Sequence, residues 1–484
     1  MKKLAGLIII LAVLILGGYY GMGFLTERTI KKNIEVINQT NGLFANIEQY
    51  DRGWFTSDAQ VKWRLHVPER IVKDANGNSQ TIAAQDYQAS MPIKICHGPF
   101  IICNNKLRFG VGYAETGFPV PEQYAKQFDE QFTKESTKPQ LDLNIFVNYF
   151  LRSSIELEVP EFKLIAKDGS GTFTWKGLES DLNMSSNKDQ VDGDFVIDGM
   201  AFTKADTKVT LDKVTTEYDL HQTKAGLYLG DASFTLPAFD VTVKNESIVN
   251  IKDLSMSSNS DIDDSLFNTH FSLGVKSILA NKKSYGPGEL EMSLRNLDAE
   301  ILAKINHEAN AMQNGTEAER QQAMMAILPE LPKLFSKGAE FEISKCNFKI
   351  PEGSIDGNLL VSLPKGDNAN PFELMQKIQG HAKLKAPAAL VKQLVQQSLL
   401  QQMSKQPEMQ QALVQQLQAT NPSANQAQVS NEQLAALQAD KQISTMEQNG
   451  LIILSGSDYV IEANLDQGKF NINGKPFDPA MLKF

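Results

Sequence analysis

The stretch VDGDFVIDGMAF, residues 191–202, decides how this chain is read. Apolar Val191, Phe195 and Ile197 fall two apart around Gly193, with Asp192, Asp194 and Asp198 in the intervening register. A period of two puts alternate side chains on opposite faces of a strand, one apolar and one wet. The same pattern recurs in AQVKWRLHV (59–67), GTFTWKGL (171–178) and AFDVTVKN (238–245). Breaks rich in Gly, Asn and Asp separate these segments about every 8–12 residues, which is antiparallel sheet language.

A loose repeat runs through the region. Val159-Pro160-Glu161-Phe162, Gly199-Met200-Ala201-Phe202 and Leu236-Pro237-Ala238-Phe239 each enter an alternating strand. The phenylalanines are about 40 residues apart, a spacing at which stacked units bury their faces on one another. An ordinary meander is the competing reading. Within this region PVPEQYAKQFDEQFTKES (119–136) departs from the pattern, with Tyr124, Phe128 and Phe132 on one helical face.

The N-terminus differs in kind. Leu4 to Leu25 carries no charge, and about 20 such residues span a bilayer's hydrocarbon core as a helix. Lys2 and Lys3 precede the run and favour a cytoplasmic N-terminus. Arg28, Lys31 and Lys32 follow it, so the charge count alone does not decide orientation. A short cationic head before an apolar stretch is nevertheless the usual form of an export signal. Tyr19, Tyr20 and Phe24 suit its interfacial end. A cleaved signal peptide is the rival reading, although no A-x-A site follows the apolar stretch. The expected organisation is therefore a cytoplasmic tip (1–3), a transmembrane signal-anchor (4–25), a β-rich region (26–295) and a mixed α+β region (296–484). A short polar helix, Thr26–Asn41, is expected after the anchor.

The C-terminal region alternates strands with helices. GPGELEMSLRNLDAEILAKI (286–305) and GHAKLKAPAALVKQLV (380–395) each read as a strand running into a helix, the first with Asp298 near the helix start. A further helix is expected over Thr316–Ile327, and strands over 340–350 and 354–363. Residues 391–448 are glutamine-rich and helical in spacing, with Ser430 and Gln433 forming a capping box. That amphipathic face packs on its own domain or serves self-association. The chain closes with a hairpin pattern, LIILSGSDYVIEANLDQGKFNINGKP (451–476). The fold class is thus mainly β with C-terminal α-helices: an extended, curved antiparallel sheet body with loose repeats behind one membrane helix.

Composition excludes several function classes. The 484 residues carry 47 Lys+Arg against 57 Asp+Glu, a net charge of −10 with no basic block, which argues against nucleic acid. Three cysteines cannot staple a disulfide-dense scaffold. Cys96 and Cys103 bracket CHGPFIIC, where a hairpin with a four-residue loop, Gly98–Ile101, would place them opposite one another. A disulfide there would contribute roughly 2.5 kcal/mol; two reduced buried thiols are the alternative. Cys346 reads as a core residue.

Catalytic constellations are missing. No phosphate-binding loop, dinucleotide fingerprint, GxSxG elbow or CxxC occurs, and the six histidines are scattered singly. Asp261, Asp263 and Asp264 lack calcium-loop spacing and read as a solvated loop. His97 adjoins Cys96, but neighbouring strand residues point to opposite faces. No enzyme, metal or cofactor is expected.

Three stretches carry a family resemblance. Tyr50-Asp51-Arg52-Gly53-Trp54-Phe55-Thr56-Ser57 resembles the Y-x-R-G-x-F-x-S signature of the YdgA/YihF family of Gram-negative envelope proteins. His97-Gly98-Pro99-Phe100 resembles its HGP turn, and Tyr459 with Asn473-Gly474-Lys475-Pro476 its C-terminal ending. Physically these residues read as fold-specifying, in core or turn. The resemblance implies an inner-membrane protein, single-pass, with its bulk in the periplasm and an undefined function. LEMSLRNLDAEILAKI (290–305) is also similar to segments of AsmA-like proteins, which implies a sheet groove for lipid. The expected function is a non-enzymatic envelope protein binding lipid or another apolar ligand. The alternative is an assembly scaffold acting through protein contacts or homo-oligomerisation.

Overall fold

The computed structural model describes residues 2–38, 43–67, 70–73, 79–120, 122–187, 189–314, 317–366, 376–405 and 430–478, and over 2–15 only the backbone path. The chain forms two compact units, Met1–Glu246 and Ser247–Phe484. The change of sequence character at 295/296 falls inside the second.

The first unit begins with helix α1 (Lys2–Ile37). It is one unbroken helix, where the sequence reading separated an anchor from a polar helix; neither Gly nor Pro interrupts residues 24–37. The expected span Leu4–Leu25 begins in residues whose side chains lie outside the description. Among the described residues no helix is long and apolar enough to cross a membrane.

After α1 come β1 (Leu43–Arg52), β2 (Thr56–Val67), a small hairpin of β3 (Arg70–Lys73) and β4 (Ser79–Ile82), and β5 (Gln85–His97). A second small hairpin, β6 (Ile101–Cys103) and β7 (Lys106–Arg108), precedes β8 (Gly112–Pro119) and helix α2 (Glu122–Gln131). Next are β9 (Gln140–Val147) and β10 (Ser153–Val159). The ladder runs β1-β2-β5-β8-β9-β10, antiparallel throughout.

Beyond β10 the strands are long and creased. They are β10 with β11 (Phe162–Ile165), β12 (Thr172–Trp175) with β13 (Leu178–Met184), β14 (Gln190–Ile197) with β15 (Met200–Lys204), and β16 (Thr207–Leu211) with β17 (Val214–Gln222). The last is the single strand β18 (Tyr228–Val243). One half of each pairs in the ladder β10-β13-β14-β17-β18, the other half in β11-β12-β15-β16-β18. The crease crosses the five strands at Pro160, Gly177, Gly199, the Asp212–Lys213 pair and Pro237. Lys176 N–H donates to Gly199 O (3.0 Å) and Asp212 N–H to Ala238 O (2.9 Å), so pairing continues through it. The loose repeat is thus an antiparallel meander. Its period of about 40 residues is one outward and one returning strand.

Register separates two unlike faces. Ile95, Ala114, Ile145, Ile155, Leu182, Gly193 and Tyr218 lie directly opposite one another across successive strands. On the reverse face Glu156, Asp181, Asp194 and Glu217 form a second row, so like charges are juxtaposed. Helix α1 covers the start of the apolar row, where Ile30 packs with Ala59, Ile95 and Ala114. Farther along, Ile155, Leu157, Leu182, Phe195 and Tyr218 are only half-buried.

The second unit contains β19 (Glu246–Asp263), β20 (Leu266–Ala280), β21 (Lys283–Tyr285) and β22 (Gly288–Asp298), followed by α3 (Ala299–Asn314), α4 (Glu317–Ile327) and α5 (Leu331–Leu334). Then come β23 (Glu340–Ile350), β24 (Gly353–Ser362), β25 (Gln379–Pro387), α6 (Ala388–Lys405) and α7 (Asn431–Gln448). It ends with β26 (Ile453–Ser455), β27 (Asp458–Asp466), β28 (Lys469–Ile472) and β29 (Lys475–Pro476). Its ladder is β19-β20-β22-β23-β24-β25-β27-β28.

Both strand-into-helix junctions form. Asp298 Oδ1 accepts the Glu300 and Ile301 N–H groups at 3.1 Å each, starting α3. Helices α6 and α7 bury Leu399, Met403, Leu434, Ala435 and Ala439 together, and the Ser430/Gln433 capping box is present. The intervening Gln-rich residues 406–429 lie outside the described residues. Cys346, read as core, is half-buried on β23. Asp261 and Asp263, read as loop, extend β19, and Asp264 alone enters the turn.

Candidate functional site

The two N-terminal motifs meet where α1 docks on the sheet. Arg52 pairs with Ser57 across a tight turn in which Gly53 N–H donates to Thr56 O at 2.9 Å. Ser57 in turn lies opposite Ile95, which brings His97 to the same face two residues later. Ser57 Oγ and His97 Nε2 are 3.0 Å apart, and each residue is 1% exposed. Burial holds the His97 imidazole below its usual range and therefore neutral. Burial likewise raises the Tyr50 phenol, which packs in the adjoining core.

Helix α1 closes over this pair. Gly23 faces His97 so closely that a Cβ there would lie 2.6 Å from Cε1. Thr26 Oγ1 reaches Val111 O at 3.4 Å. Arg52 pairs with Glu27 at 3.2 Å and lies 5.1 Å from the Tyr20 ring centre and 5.6 Å from that of Phe24. A Ser–His contact has the form of an activated nucleophile. Here both side chains are buried beneath the helix, and the contact lies between α1 and the sheet.

Trp54 and Phe55 were expected in core or turn. They occupy the β1–β2 turn, both more than half exposed, against Tyr20 and Tyr19 respectively, with ring centres 5.7 and 4.7 Å apart. Gly98 and Pro99 do not close a hairpin between the cysteine strands, as the sequence suggested. Gly98, at φ 127°, turns the chain out of the sheet, and β5 pairs with β8 so that Cys96 faces Tyr113. Cys103 is returned by the β6–β7 hairpin, and a disulfide joins it to Cys96 with the Cα atoms 6.2 Å apart. The disulfide, Ile101 and Tyr113 form a core on the face opposite α1. Burial and the Glu115 carboxylate push the Tyr113 phenol up to about 12.

Tyr459, Asn473 and Gly474 belong to the second unit and do not join this cluster. Asn473 Nδ2 donates to Gly450 O (2.9 Å) and Leu451 O (3.1 Å), and its Oδ1 accepts from Glu462 N–H (2.8 Å). These bonds pin the final turn, where Asn473 and Gly474 both have positive φ. Tyr459 sits on β27, its phenol raised to about 12 by burial and Glu447. Among the described residues no group of three or more His, Cys, Asp or Glu side chains is placed to hold a metal ion.

The two motifs, the creased meander and the C-terminal turn fall at separate places between Tyr50 and Pro476. A family model described as a bacterial protein of unknown function (DUF945) matches residues 1–480. The chain belongs to the DUF945 family. No curated protein matches it. In this DUF945 chain the Tyr50–Ser57 and His97–Pro99 motifs are contacts of α1 with the sheet. The partners that the motif reading missed are Gly23, Thr26 and Glu27, whose proximity depends on helix docking rather than on any spacing in the sequence.

Proposed function

We propose that this chain is a membrane-tethered, non-catalytic envelope protein whose uncovered apolar sheet face takes up a lipid or another apolar ligand. The observation that carries the reading is the apolar row of the first unit. It is covered by α1 at Ile95 and Ala114, then continues in the same register through Ile145, Ile155, Leu182 and Tyr218, which are half-buried. Each CH₂ that a ligand buries there is worth about 0.8 kcal/mol. The carboxylate row on the reverse face repels anionic headgroups, which directs such a ligand to the apolar face.

The apolar run Leu4–Leu25 supports a single-pass tether, and the short cationic head Lys2-Lys3 before it has the form of an export signal, which supports a cytoplasmic N-terminus. The resemblance to YdgA/YihF proteins supports an inner-membrane location with both units in the periplasm, and the AsmA-like phrase lies at the β22–α3 junction. The Gln-rich helices α6 and α7 bury Leu399, Met403 and Leu434 against each other, while Leu394 and Leu437 stay exposed. Purified full-length protein, extracted with organic solvent and analysed by lipid mass spectrometry, is expected to release stoichiometric lipid. Release at background level would refute the reading.

A further inference from the structure

Three connections leave the first ladder at the same end, because antiparallel neighbours turn alternately. They are residues 53–55 between β1 and β2, 98–111 between β5 and β8, and 148–152 between β9 and β10. All three carry exposed apolar side chains: Trp54 and Phe55 on the first, Ile102 (71% exposed) and Leu107 on the second, Phe150 (87% exposed) on the third. Contacts tie them together. Tyr19 stacks edge-on against Phe55 and donates its hydroxyl to Phe100 O at 2.7 Å, while the Tyr149 hydroxyl donates to Pro99 O. Soluble surfaces rarely gather so much apolar area at one edge.

Helix α1 relates this edge to the tether. Ile30 lies against the strand bodies and Thr26 against the start of β8, whereas Gly18, Tyr19 and Tyr20 lie at the tips, so the helix leaves the sheet at this end. At about 1.5 Å per residue, Gly18 is about 21 Å from Leu4 along the axis. The hydrocarbon core is about 30 Å thick, so its far boundary falls near residue 24. The tips touching residues 18–20 lie on the membrane side of that boundary, and tilting the helix only deepens them. Arg28, Lys31 and Lys32 follow just beyond it.

We infer that this edge of the first unit is seated in the lipid–water interface of a phospholipid bilayer, with Trp54, Phe55, Ile102, Leu107 and Phe150 in contact with lipid around α1. The inference rests on the tether reading above and adds a fixed orientation: the ladder stands on the membrane rather than hanging clear of it. Trp and Tyr at such a level match the aromatic belts of membrane proteins.

The test uses the full chain reconstituted in phosphatidylethanolamine–phosphatidylglycerol vesicles with or without brominated acyl chains. Bromination is expected to quench the wild-type tryptophan emission, Trp54→Phe to lose most of that quenching, and Phe150→Trp to increase it. Both positions are exposed, and circular dichroism checks that the variants keep their strands. Equal quenching in wild type and Trp54→Phe, or no increase in Phe150→Trp, would overturn the seating if the protein resists alkaline carbonate extraction. Extraction by carbonate would overturn the tether and the seating together.

Discussion

Replacing Gly23 with alanine is expected to loosen the first unit, whereas the same change at Gly21 does not. An alanine Cβ at Gly23 would lie 2.6 Å from His97 Cε1, 3.0 Å from Nδ1 and 3.1 Å from Nε2. Comfortable contacts between such atoms are about 3.5–4.0 Å, so the ring or the helix must yield by about 1 Å. The ring is 1% exposed and held by Ser57, which leaves the helix to move. Overpacking of this kind costs about 1–3 kcal/mol. At Gly21 nothing lies within 4 Å of the added methyl, so only the helix preference for alanine acts, about 0.5–1 kcal/mol in favour. Trp54, Trp63 and Trp175 all lie in the first unit, so tryptophan emission during urea unfolding in detergent micelles reads it selectively. A double-mutant cycle with His97→Ala should recover part of the Gly23→Ala cost. Equal midpoints for Gly21→Ala and Gly23→Ala would refute the contact between α1 and the sheet at His97.

Three further outcomes follow from the same unit. Replacing Cys96 and Cys103 with serine should lower stability by about 2.5 kcal/mol, and dithiothreitol should lower the wild-type midpoint alone; an unchanged midpoint would contradict it. His97 has a depressed folded pKa, so the unfolded chain takes up the proton first as pH falls. Stability that is complete above about 6.5 should therefore decline below that pH, and His97→Asn should remove this part of the slope in a pH series of unfolding midpoints. Asp181→Asn or Asp194→Asn, each relieving juxtaposed carboxylates, should stabilise by about 0.2–1 kcal/mol with a reduced response to salt; calorimetry showing destabilisation would count against the like-charge row.

Period-two alternation made the strands legible, and the capping residues made the α7 start legible, because both signals are local. The repeat at Phe162, Phe202 and Phe239 was visible for the same reason, since Pro160, Gly199 and Pro237 stand two or three residues before these phenylalanines. The Ser57–His97 contact was not, because it depends on β2 pairing with β5 forty positions away and on α1 closing over both. Trp54 and Phe55 have the composition of core residues, and only their place in a turn exposes them. The cysteines bracketed a turn signal correctly, but the chain spends residues 98–111 outside the ladder, which no spacing between Cys96 and Cys103 announces.

Photo-crosslinking tests lipid uptake by the uncovered apolar face most directly. Full-length protein in bilayers containing a phospholipid with a diazirine on its acyl chain is irradiated, digested and mapped by mass spectrometry. Labels on β10, β13, β14 and β17, at Ile155, Leu182, Phe195 or Tyr218, are the predicted result. Labelling confined to α1 and the three membrane-facing connections, with none on those strands, would contradict it.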